Sequence, residues 1–106
     1  MIRHIVMWKL RGDTPEEKQA ARLRVKSAFE DLIGRIPGLL SLEVGSDQSG
    51  ADYACDVVMV SEFCDAQALA AYATDREHLR VRDELGDLRT HRYQVDYAVS
   101  EPAPSH

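Results

Sequence analysis

Cysteine, basic charge and uninterrupted apolar sequence are all scarce in this chain of 106 residues. Its two cysteines, Cys55 and Cys64, form no Cys-x-x-Cys pair, and no His/Cys cluster has the spacing of a zinc site. They fall near opposite ends of one predicted strand and on opposite faces of it, so a bond between them is geometrically excluded and free thiols are expected. Lys and Arg number 13 against 18 Asp and Glu, and the net charge of −5 repels polyphosphates, which argues against nucleic acid as a partner. No segment reaches the roughly 20 apolar residues of a membrane-spanning helix. The opening stretch from Met1 to Leu10 is apolar but has neither a sustained hydrophobic region nor a small-residue cleavage site. A cytoplasmic protein without membrane association is the expectation. Arg11-Gly12-Asp13 reads as a turn closing the first strand.

A chain of this length makes one domain with a thin core, and dimerisation is a common way to gain the missing burial. Residues 2–10 are β-branched and fit a strand, with Ile5 and Met7 on one face and His4, Val6, Trp8 and Leu10 on the other. Thr14-Pro15-Glu16-Glu17 supplies an N-cap, a first-turn proline and acids at the positive end of a helix dipole. Ala21, Val25, Ala28, Phe29, Leu32 and Ile36 carry the apolar face of that helix, and Lys18, Arg22, Lys26 and Glu30 the wet one. Gly34 and Ile36-Pro37-Gly38 end it.

Leu39–Val44 reads as a second strand, and Tyr53–Phe63 as a long central third one after a loop rich in turn formers. Asp65 can cap a short helix ending near Tyr72, and Thr74 begins a second helical piece that Gly86 stops. His91–Val99 is the last strand, and 100–106, with two prolines, a loose tail. The order is the α+β, ferredoxin-like βαββαβ pattern with a four-stranded antiparallel sheet over residues 1–99. Its helices cover only one sheet face. Val6 and Trp8 are assigned to the other, and a homodimer packed sheet on sheet would bury them.

The most informative stretch is Ala71 to His78, which sets a phenol and an imidazole on either side of a built-in helix break. On one unbroken helix Tyr72 and His78 would point to different sides. Thr74-x-x-Glu77 reads as a capping box, and a restart there lets both side chains face one cavity. His78 would then serve as general base toward a carbon between two carbonyls, while Tyr72 donates to the oxygen that becomes an enolate. The alternative is that His78 caps or packs beside the helix and Tyr72 fills core. His4 shares parity with Trp8 and either supports the pocket or meets water. Trp8 and Phe63 are candidate substrate contacts, or simply core. Asp56 interrupts an apolar strand, so it either touches substrate, pairs with Arg82, His78 or a partner subunit's cation, or ends the strand in water. A metal set of His4, Asp56 and His78 is not required by any spacing. Arg76, Arg80, Arg82, Arg89 and Arg92 are read as balancing nearby acids, with one of them available to an anionic substrate. His91, Tyr93 and Tyr97 form a stripe suited to an interface.

Several of these segments in their order resemble the stress-responsive A/B barrel family: His4-Ile5-Val6-Met7-Trp8-Lys9-Leu10, Ile36-Pro37-Gly38-Leu39, Asp52-Tyr53, and Tyr72-x5-His78 before Val81. The resemblance implies a ferredoxin-like monomer that joins a partner's sheet to make a dimeric α/β barrel, with a pocket between each sheet and its own helices. Function varies within such a fold. One plant member, olivetolic acid cyclase, closes a linear polyketide by aldol condensation without metal or organic cofactor. The resemblance gives Tyr72 and His78 the chemistry and places His4 at the pocket, with no cofactor and no metal. A further pocket histidine of that cyclase has no counterpart here, where the third strand reads Asp56-Val57-Val58. The expectations are a homodimer binding a small carbonyl-bearing or aromatic molecule, with cyclase, lyase or isomerase activity, non-enzymatic stress-related binding, or cofactor-free oxygenation as readings of the same barrel.

Overall fold

The computed structural model describes residues 1–100, so all but the first residue of the expected tail lies outside the described residues. The elements are β1 (Ile2–Leu10), α1 (Pro15–Glu30), β2 (Leu39–Ser46), β3 (Val57–Phe63), α2 (Ala66–Tyr72), α3 (Arg76–Leu85) and β4 (Arg89–Ala98). All neighbours in the sheet order β2-β3-β1-β4 are antiparallel. This is the ferredoxin-like arrangement, with its second helix broken in two.

Thr14 caps α1, its hydroxyl accepting from the Glu17 N–H at 3.1 Å. The regular helix stops at Glu30, earlier than Gly34, because the chain tightens: Leu32, Ile33 and Arg35 donate to carbonyls three residues back. Leu32 and Ile36 stay buried regardless, at 0% and 5% exposure, because the tighter turns hold them on the same face. At Gly38 φ is +80°, and an added Cβ would lie 2.5 Å from Ala68 Cβ, so only glycine lets β2 begin against α2.

The third strand is shorter than expected. Residues 47–54 hydrogen-bond among themselves, with Ser49 and Gly50 donating to the Asp47 carboxylate and Ala54 N to Ala51 O, so Tyr53 and Cys55 never reach the ladder. Tyr53 is left 91% exposed. Cys55 and Cys64 are both free.

The assignment of sheet faces is reversed. Val6 and Trp8 lie beneath the helices, where the Trp8 ring stacks on Phe29 of α1 with centroids 5.0 Å apart. Alternation separates the faces but does not say which one meets a helix; the side with Val6, Trp8 and Leu10 has the bulk that fills the space under α1. The open face instead presents Met7, Tyr93, Val95 and Tyr97, from 40% to 59% exposed. Among the described residues no helix is long and apolar enough to cross a membrane.

Candidate functional site

The break between α2 and α3 occurs where expected but with a different cap. Asp75, not Thr74, is the N-cap of α3, its carboxylate accepting from Glu77 N at 2.8 Å. The Thr74 hydroxyl is turned back to the Ala71 carbonyl of the helix that is ending. A carboxylate is also the better partner for the positive end of a helix dipole. The turn brings Tyr72, at the end of α2, against His78, in the first turns of α3, with rings stacked at 4.2 Å and 28°.

Tyr72 reaches toward the sheet. Its ring lies 5.1 Å from Phe63 and 6.2 Å from His4, edge-on to the latter. The residue is 4% exposed and its hydroxyl is buried without a hydrogen-bond partner. Loss of water pushes the phenol's pKa up, against the opposing charges of Arg89 and Arg92, so at neutral pH the oxygen keeps its proton and has nothing to give it to.

Desolvation moves His78 the other way, below its ordinary value, with the Ala73 carbonyl opposing and Arg89 assisting. The ring is therefore neutral at neutral pH. A carbonyl can only accept, so in its 3.4 Å contact with Ala73 O the Nδ1 carries the ring hydrogen and Nε2 is the basic nitrogen.

His4 is buried at 5% exposure rather than open to water, and its Nδ1 donates to Asp96 Oδ1 at 2.5 Å. The two are register partners across β1 and β4. Asp96 also accepts from Gln94 at 2.8 Å. Although partial burial works against its charge, the hydrogen bonds from His4 and Gln94 hold the carboxyl below the usual range.

His4, Trp8, Tyr72 and His78 all line one cavity of about 650 Å³ between the helices and the β1–β4 half of the sheet. Phe63 does not line it but backs Tyr72 and His4. Asp56 is elsewhere. Its carboxylate accepts from Leu10 N at 2.7 Å, Lys18 at 3.1 Å and Arg22 at 3.4 Å, not from Arg82 or His78, so the set His4, Asp56 and His78 does not assemble. Lys18 and Arg22, expected on a solvated face, fold over it. Asp96 is a pocket residue that sequence reasoning misses, and Arg89 and Arg92 come from the series with one arginine available to an anionic substrate; antiparallel pairing of β4 with β1 brings all three there. Arg80 does balance acids, meeting Asp31, Glu77 and Glu84. Among the described residues Arg76, Arg82, Arg89 and Arg92 meet none.

The family model described as Stress Responsive A/B Barrel Domain matches residues 2–99. The chain belongs to this family. A dimeric protein of unknown function and ferredoxin-like fold from Bacteroides fragilis is similar, with 32% identity, TM-score 0.81, and coverage of 92% of this chain and 95% of that one. A dimeric ferredoxin-like protein of unknown function from Thermobifida fusca has 23% identity and TM-score 0.75 over 92% and 90% of the two chains. A hydroxynitrile lyase from Passiflora edulis shares the fold at TM-score 0.74, with 14% identity over 97% and 96%. No curated protein matches the sequence of this A/B barrel chain.

Proposed function

We propose that this A/B barrel protein binds a small carbonyl-bearing or aromatic metabolite in the cavity and moves a proton on it without a cofactor. The observation that carries the reading is the buried, partnerless Tyr72 hydroxyl beside a neutral His78 ring. An unsatisfied hydroxyl costs folding energy, and a ligand carbonyl oxygen in the cavity is the acceptor it lacks.

In the first step His78 Nε2 takes a proton from the carbon next to the ligand carbonyl. The C–H electron pair becomes the carbon–carbon double bond of an enolate, and Tyr72 donates to the enolate oxygen. Return of the proton from the imidazolium to the same or another carbon gives isomerisation. Attack of the enolate carbon on a second carbonyl closes the ring and leaves an alkoxide that takes the imidazolium proton, whereas expulsion of a group from the next carbon, protonated by the imidazolium as it leaves, gives a lyase. His4, held by Asp96, fixes the floor beside Tyr72 and is a positioning residue in this scheme.

The test is turnover of linear β-dicarbonyl and phenolic metabolites by wild type, His78→Ala and Tyr72→Phe. Loss of about 10²-fold or more in both variants is expected, the usual scale for a positioned acid–base group. Equal rates in wild type and His78→Ala would remove His78 from the mechanism, and no turnover of any of them would leave binding alone as the function.

The protein is further proposed to be a cytoplasmic homodimer. Its open sheet face carries Met7, Tyr93, Val95 and Tyr97, apolar area that a second copy would bury, and the Bacteroides relative is described as dimeric.

A further inference from the structure

One end of the cavity is cationic in a chain of net charge −5. Arg89 and Arg92 of β4 line it there, and Arg82 of α3 is also in the lining. The Arg89 guanidinium lies over the Trp8 ring at 5.1 Å and the Phe29 ring at 5.6 Å. Arg92 is the register partner of Trp8 on the neighbouring strand. Several other arginines meet an acid, as Arg3 does with Glu62 and Arg22 with Asp56. Arg89 is half-buried, yet among the described residues its guanidinium and that of Arg92 make neither an ion pair nor a hydrogen bond.

A guanidinium does not lose its proton in a protein, so its desolvation is not relieved by neutralisation. The two neighbouring rings offset part of that cost but accept no hydrogen bond in place of the carboxylate the N–H groups lack. Arg92 beside it adds like-charge repulsion rather than compensation. The unpaired cations Arg89 and the more exposed Arg92 in the cavity wall, and an unpaired hydroxyl donor at Tyr72, are complementary to a molecule with an oxyanion at one end and a carbonyl farther along. Asp96, also in the lining, adds negative charge that favours a monoanion over a dianion.

We propose that the cavity's ligand is a carboxylic acid, seated with its carboxylate on Arg89 and Arg92 and its apolar body along Trp8 toward Tyr72. This rests on the proposed use of the same cavity and names the class of molecule that enters it. The planar fork of an arginine matches a carboxylate in two parallel hydrogen bonds, which fixes the direction in which the ligand lies. A keto acid so held would present its carbonyl carbons to Tyr72 and His78.

Trp8, the chain's sole tryptophan, lies directly under Arg89 and reports the event without turnover. Wild-type protein is titrated with hexanoate, hexanamide and hexyl phosphate, following Trp8 emission and, independently, heat by calorimetry. Hexanoate is expected to bind about 10-fold or more tightly than hexanamide, the scale of a charge-assisted bond, and more tightly than hexyl phosphate. Arg89→Met and Arg92→Gln should each weaken hexanoate toward the amide while leaving the amide unchanged. His78→Ala should retain hexanoate binding, so loss of catalysis and loss of the acid site are separable results. Equal affinity for acid and amide, no saturable binding of hexanoate, unchanged hexanoate affinity in both arginine variants, or preference for the phosphate would each overturn the carboxylate assignment.

Discussion

Tyr72 carries a hydroxyl that weakens the fold where it sits, since a buried donor without an acceptor forfeits its hydrogen bonds to water. Tyr72→Phe should therefore leave stability to urea unchanged or raise it by about 1 kcal/mol, while activity falls; a merely structural tyrosine would lose nothing in activity. His78 makes a pH prediction. Burial disfavours its imidazolium in the folded protein, so the unfolded chain binds that proton more readily. This contribution to stability is present above the ordinary value of 6.5 and is lost as pH falls through the lower folded value. Activity that needs the neutral base should decline over the same acid range. A rate profile whose acid limb stands above pH 6.5, or is unmoved in His78→Ala, would contradict the assignment.

At the scale of elements, the helix break is the device that makes the site. Asp75→Ala should cost about 1 kcal/mol through loss of the α3 cap and should lower activity further than that loss explains, because Tyr72 and His78 lose their fixed angle. Thermal unfolding paired with turnover separates the two effects. The break itself was legible in the sequence, from Thr74 and Glu77 between two apolar helical patterns. The identity of the cap was not, because Thr74 has a competing carbonyl at Ala71 that only the folded turn supplies. The βαββαβ order and the partnership of Tyr72, His78, His4 and Trp8 were readable in outline. Strand register was not: Asp96 faces His4 only because β4 pairs with β1 in one alignment, and no local pattern encodes that alignment. The covered face of β1 was misassigned for a related reason, as period-two alternation leaves both sides of a partly apolar strand equivalent until a helix chooses one. Asp56 looked like a pocket residue because it interrupts an apolar run, yet Lys18 and Arg22 answer it from α1.

Across the whole molecule, the helices close one side of the sheet and leave Met7, Tyr93, Val95 and Tyr97 on the other. Val95→Lys, near the middle of β4, should convert the proposed dimer to monomer in sedimentation at micromolar concentration, since a buried unpaired ammonium is heavily penalised. The cavity lies on the opposite side of the sheet from this face, so the monomer should keep its ligand affinity; loss of binding on monomerisation would mean that the partner completes the site. The two proposals give each sheet face one task, with association on the open side and proton chemistry under the helices.

The central claim is that His78 moves a proton on a ligand whose oxygen Tyr72 holds. Its most direct test is deuterium incorporation at C2 of 3-oxohexanoate in heavy water, followed by proton NMR. Wild-type protein should exchange these protons faster than buffer, with His78→Ala and Tyr72→Phe slower than wild type by about 10²-fold or more. Exchange at the buffer rate, or at the same rate in all three proteins, would contradict the account.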